Sequence, residues 1–93
     1  MPVHRPLQQR SLLDLPNISV ALAEALRRCG VSYPQALFEL GTERAWRLLR
    51  QAGVRPCIQS ALAVEGAILG TSWQAVPPAR RQQLMRFVSQ ELG

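Results

Sequence analysis

The dipeptide Pro16-Asn17 separates two short apolar stretches and fixes how the first third of the chain can fold. Before it, Leu12 and Leu15 recur at helical spacing. A proline disfavours helix in the residue ahead of it, so a short helix over roughly Gln9–Leu15 stops there. Asn17 tolerates the left-handed conformation better than most residues that carry a Cβ. Ser19 is then placed to cap a second helix by accepting from a free N–H of its first turn. Leu22, Ala23, Leu26 and Cys29 share one face of that helix, with Glu24, Arg27 and Arg28 opposite. Gly30 ends it as a left-handed cap.

Helix, tight turn and helix, with the small Ala23 at the crossing, form the pattern of a helix-hairpin-helix. Such a turn presents backbone N–H groups to nucleic-acid phosphate. On that reading Asn17, Ile18 and Ser19 are the candidate phosphate contacts, and Arg10, Arg44, Arg47 and Arg50 supply counter-charge. Asp14 adjoins the turn, and Ser19 adds a side chain where close approach favours glycine. No recognition-helix signature follows, so any DNA binding is expected to be sequence-tolerant and steeply salt-dependent.

Downstream, a third helix fits Pro34–Leu40 with Ser32 as its cap, and a fourth runs from Gly41-Thr42 to Gly53. Ala45, Leu48, Leu49 and Ala52 form the inner stripe of the fourth, with Glu43, Arg44, Arg47 and Arg50 facing away. Ser19-x-x-x-Ala23-x-x-Leu26 has the spacing of Gly41-x-x-x-Ala45-x-x-Leu48, which suggests two related hairpins forming a four-helix core. A fifth helix over about Cys57–Leu69 is apolar nearly all round and reads as central. Glu65 falls inside its stripe, where a carboxylate needs an Arg or the N–H groups of a helix start. Trp73 reads as a plug between helices. Pro77-Pro78 opens a last helix whose inner face is Leu84, Phe87 or Val88, and Leu92, with Arg80, Arg81, Gln82, Gln83 and Arg86 outside.

No segment alternates with period two, so the class is all-α, a compact bundle of five to six short helices of the SAM or helix-hairpin-helix type. The 93 residues suffice for one core, giving an arm over 1–8 and a domain over 9–93. The basic residues are all Arg and the formal charge is +5, which points to an anionic partner and also serves solubility. Cys29 and Cys57 lack a Cys-x-x-Cys spacing and read as buried, inert thiols. There is neither a signal peptide nor an apolar run of bilayer length, so a cytoplasmic protein without membrane contact is expected. His4 is the only histidine, and no metal-ligand cluster or Gly-rich phosphate loop appears. Catalysis, a metal and a cofactor are therefore not expected.

Several of these pieces coincide with one family. Leu15-Pro16-Asn17-Ile18, Ala23, Leu26, Gly30-Val31, Leu37-x-x-Leu40-Gly41 and Ala45-Trp46 resemble the C-terminal domain of TfoX/Sxy proteins. Leu62-Ala63-Val64-Glu65-Gly66-Ala67-Ile68, Trp73 and Val76-Pro77 extend the resemblance across roughly Leu12–Leu92. Larger members carry an additional N-terminal domain, and their turn usually has glycine where Ser19 stands, so the resemblance implies a stand-alone version. It also implies a regulator of bacterial competence that raises transcription of DNA-uptake genes. The partner implied is the cyclic-AMP receptor protein; RNA polymerase is a further candidate partner, and DNA contact a further expectation. The alternative is a protein-interaction or self-associating domain, such as a homodimer, using an apolar patch near Trp46, Tyr33 or Phe38.

Overall fold

The computed structural model describes residues 11–93. The expected arm and Arg10 lie outside the described residues. Five α-helices follow in order: α1 Val20–Arg28, α2 Pro34–Leu40, α3 Thr42–Gln51, α4 Ile58–Leu69 and α5 Pro78–Leu92. Single 3-10 turns occupy Leu12–Asp14 and Trp73–Ala75, and there is no strand among the described residues. The fold is all-α.

The segment ahead of Pro16 is a 3-10 turn rather than the α-helix expected from its leucines. Ser11 explains this locally: its hydroxyl accepts from the Leu13 N–H while Asp14 accepts from the Ser11 N–H, closing a capping box around one turn. Asn17 takes φ +68°, the one left-handed non-glycine residue among those described. Ser19 then caps α1, its hydroxyl accepting from the Leu22 N–H at 3.1 Å.

The spacing likeness between α1 and α3 extends to their ends. Ala23 N–H donates to the Ser19 carbonyl, and Ala45 N–H to the Gly41 carbonyl. After α1, Gly30 N–H bonds the Arg27 carbonyl and Val31 N–H the Leu26 carbonyl; after α3, Gly53 and Val54 repeat this on Arg50 and Leu49. Leu49 rather than Leu48 therefore takes the place of Leu26 at the C-cap, because α3 is one residue longer. Ala23, Leu26, Ala45 and Leu49 are all fully buried, whereas Leu48 is half-buried.

Helix α4 is the hub, packing against α2, α3, α5 and the Trp73 turn. One cluster joins Leu12, Ile18, α1, α2 and α3 to Val64 and Ala67 of α4. A second sets Trp46 of α3 against Ala61 and Val88, with Phe87 meeting the indole edge-on at 5.4 Å between centroids. A third places Leu62, Val76 and Leu84 together beneath Trp73.

Other expectations need correcting. Tyr33, not Ser32, is the N-cap of α2 and makes no side-chain cap, since Pro34 at the first position already presets the helical φ. Leu92 is exposed at the end of α5, while Val88 is buried and Phe87 half-buried. Cys29 and Cys57 are half-buried rather than buried; the Cys29 thiol donates to the Leu48 carbonyl at 3.3 Å. Trp46 belongs to the core at 1% exposure, so it offers no surface patch; Tyr33 is exposed and Phe38 half-buried.

Candidate functional site

The Pro16–Asn17 turn is built inward. The Asn17 amide nitrogen donates to the Thr71 carbonyl at 2.9 Å and the Ala63 carbonyl at 3.3 Å, and its oxygen accepts from the Trp73 N–H at 3.2 Å. This amide clasps the end of α4 and the following turn. Ile18 is buried, and the Ser19 hydroxyl is occupied as a helix cap. The candidate phosphate contacts at this turn thus all have a structural use of their side chains.

Of the arginines expected to supply counter-charge, Arg47 and Arg50 are engaged with α5. Arg47 donates to Glu91 at 2.5 Å and lies over the Phe87 ring. Arg50 donates to the Glu91 carbonyl at 2.9 Å and lies over Trp46. Both tie α3 to the last turn of α5, and the Glu91 carboxylate raises the Arg47 pKa through its hydrogen bond. Arg44 is exposed on α3.

Glu65 is 7% exposed and sits in a closed polar cluster. It accepts from the Thr42 hydroxyl at 2.7 Å and pairs with Arg80 at 3.0 Å. Arg80 also reaches Glu43 with two parallel bonds of 2.8 and 3.0 Å. Glu43 and Arg80 were both expected to face outward, and the cluster draws them together because a buried carboxylate requires a counter-charge. The Arg80 hydrogen bond holds the Glu43 carboxyl below its ordinary value, and the two carboxylates hold Arg80 firmly protonated. Arg81 likewise turns in, donating to the Trp73 and Gln74 carbonyls with its guanidinium over the indole. These groups fasten α3, α4 and α5 to one another. Among the described residues no group of three His, Cys, Asp or Glu is placed to hold a metal ion, and no helix is long and apolar enough to cross a membrane.

The concave feature that sequence reasoning missed lies between the start of α1 and the start of α4. It is an open groove of about 500 Å³ with walls of Ala21, Leu22, Val54, Cys57 and Ala63, and with Arg55 at its rim. Gly66, which does not line the groove, marks a separate close approach on α4. A glycine inside an otherwise good helix marks a close backbone approach, and here the approaching group is Asn17. A Cβ at Gly66 would lie 2.5 Å from the Asn17 amide nitrogen and 2.8 Å from the Thr71 carbonyl oxygen.

The sequence and the fold have counterparts among known proteins. Residues 8–88 match the TfoX C-terminal domain. Protein Sxy of Escherichia coli K12 is 40% identical over 76 residues, which cover 82% of this chain and 36% of Sxy. The chain thus spans about a third of the length of that relative. Two crystal structures from Listeria monocytogenes share the fold. One is of an uncharacterized protein in a triclinic form, at a TM-score of 0.87 and 27% identity over 90% of this chain and 96% of that one. The other is of a protein of unknown function in a tetragonal form, at 0.83 and 29% over 89% and 100%. With the family match spanning nearly all of the helical core, the chain belongs to the TfoX/Sxy family, as a domain of the C-terminal type.

Proposed function

We propose that the chain is a non-enzymatic regulatory binding module in the transcriptional control of competence and DNA-uptake genes, acting through a protein partner. The family supplies the regulatory context. The observation that carries the choice of a protein partner is the largely apolar groove between α1 and α4, beside a turn whose Asn17 side-chain amide is spent internally. The partners to test are a transcription regulator of the cyclic-AMP receptor protein type and RNA polymerase.

A second reading, sequence-tolerant contact with DNA, draws on the exposed arginines Arg27, Arg28 and Arg44 and the net charge of +5. Fluorescence anisotropy separates the two. The labelled chain is titrated with cyclic-AMP receptor protein and with RNA polymerase, and a labelled random duplex is titrated with the chain across a salt series. Saturable binding to either protein at physiological salt supports the first reading. Binding to the duplex alone, weakening steeply with salt and reduced by Arg44→Ala, replaces it with the second.

A further inference from the structure

We infer that the groove between α1 and α4 receives an apolar segment of a protein partner that also bears a carboxylate, with Arg55 as the counter-charge. This rests on the protein-partner reading above and specifies its chemistry.

The groove is preformed, because its wall is pinned at both ends. At one end the Asn17 amide bonds the Ala63 carbonyl. At the other, the Cys57 carbonyl accepts from the Trp46 indole N–H at 3.0 Å and from the Ser60 hydroxyl at 2.9 Å. Wall carbonyls already satisfied inside the protein gain little from a polar occupant, whereas Ala21, Leu22, Val54 and Ala63 offer apolar surface. At about 500 Å³ the space suits one or two aliphatic side chains with their backbone.

The rim sets the charge. Arg55 is exposed and makes no hydrogen bond or ion pair among the described residues, and no Asp or Glu lines the groove. Glu43 and Glu65 are held by Arg80, and Glu91 by Arg47. Of the six carboxylates of the chain, these three are held by arginines, and Asp14, Glu24 and Glu39 neither line the groove nor bond Arg55, so the matching acid is one that a partner brings. A guanidinium meets a carboxylate with two parallel hydrogen bonds, which fixes orientation as well as sign. The N-terminal ends of α1 and α4, which also border the groove, add potential of the same sign. A bare phosphate backbone would leave the apolar walls unfilled.

The test is a titration of the isotope-labelled chain, followed by NMR, with a short amphipathic peptide carrying a leucine stripe and one flanking Asp. A counterpart with Lys in place of that Asp is run beside it. The expected result is shift changes at Ala21, Leu22, Val54 and Ala63, with the Lys peptide about fivefold weaker, the size of one exposed ion pair. Arg55→Glu reverses the preference, and Ala21→Trp blocks both peptides with the melting temperature unchanged. Equal affinity for the two peptides, shifts away from the groove, no shifts, or groove shifts produced by a random duplex instead would overturn the inference. Peptide binding without binding of cyclic-AMP receptor protein or polymerase removes those partners and keeps the groove assignment. Binding of either protein that ignores Arg55→Glu and Ala21→Trp does the opposite.

Discussion

The amide of Asn17 occupies the space that a Cβ on Gly66 would need, 2.5 Å from its nitrogen. The left-handed turn residue and the mid-helix glycine, far apart in sequence, form one device. A glycine inside a helix costs roughly 0.5–1 kcal/mol against alanine, and here that cost permits three hydrogen bonds from one side chain.

Gly66→Ala is therefore expected to destabilise the domain despite its better helix propensity. Overpacking against the Thr71 carbonyl and the amide costs about 1–3 kcal/mol, more than the propensity gain of at most about 1 kcal/mol. Urea denaturation of Gly66→Ala, Asn17→Gly and the double variant checks the coupling. The double variant should lose less than the sum of the singles by roughly 1 kcal/mol, since Asn17→Gly has already removed one of the clashing groups.

At Asn17 itself, conformation and bonding can be separated. Asn17→Gly keeps the left-handed backbone and loses all three amide bonds, a cost of about 3 kcal/mol at roughly 1 kcal/mol per net bond in a partly buried site. Asn17→Ala loses the same bonds and adds the left-handed penalty of about 1 kcal/mol more. Asn17→Asp faces the Ala63 and Thr71 carbonyls with an acceptor and is expected to be the least stable of the three. Thermal melts in that order, Gly above Ala above Asp, check the assignment.

How far the sequence made this legible can be traced residue by residue. The helix limits near Ser19, Gly30, Gly41, Gly53 and Gly70 were readable because caps are local chemistry, set by a hydroxyl or a positive φ. Ser11 and Asp14 show where local reading fell short: the same capping chemistry tightened Leu12–Asp14 into a 3-10 turn. That Glu65 needs a partner follows from its place in the apolar stripe, but the choice of Thr42 and Arg80 depends on helix packing. Arg47 and Arg50 are exposed, as periodicity indicates, but Arg80 and Arg81 turn inward, and periodicity cannot see an aromatic ring or a carboxylate arriving from another element. The groove is less legible still, since Ala21 and Val54 carry no mark of lining a surface together.

The polar cluster makes a pH prediction through Glu43. Its folded pKa is depressed by the Arg80 hydrogen bond below the ordinary 4.5. A depressed carboxyl pKa contributes stability that is fully present above the unfolded value and lost as pH falls through the folded one. The stability advantage of the natural chain over Glu43→Gln should accordingly be constant from pH 7 to about 5 and shrink below pH 4.5. Urea midpoints measured from pH 7 down to 3 give the comparison.

Breaking that cluster from the Arg80 side should be costlier than from Glu43, because it strands Glu65. Arg80→Met leaves a carboxylate at 7% exposure with only the Thr42 hydroxyl. Removing one member of a buried pair costs about 3–5 kcal/mol, and the partial exposure of Arg80 places this at the lower end. Replacing both charges, as Glu65→Leu with Arg80→Met, removes the stranded charge and should recover most of the loss, since apolar substitutes for a buried pair are often near neutral. The order natural chain, double variant, Arg80→Met in calorimetric melting temperature would mark the cluster as a fastening whose members depend on one another. Equal losses in the single and double variants would mean that Glu65 finds other solvation when Arg80 is gone.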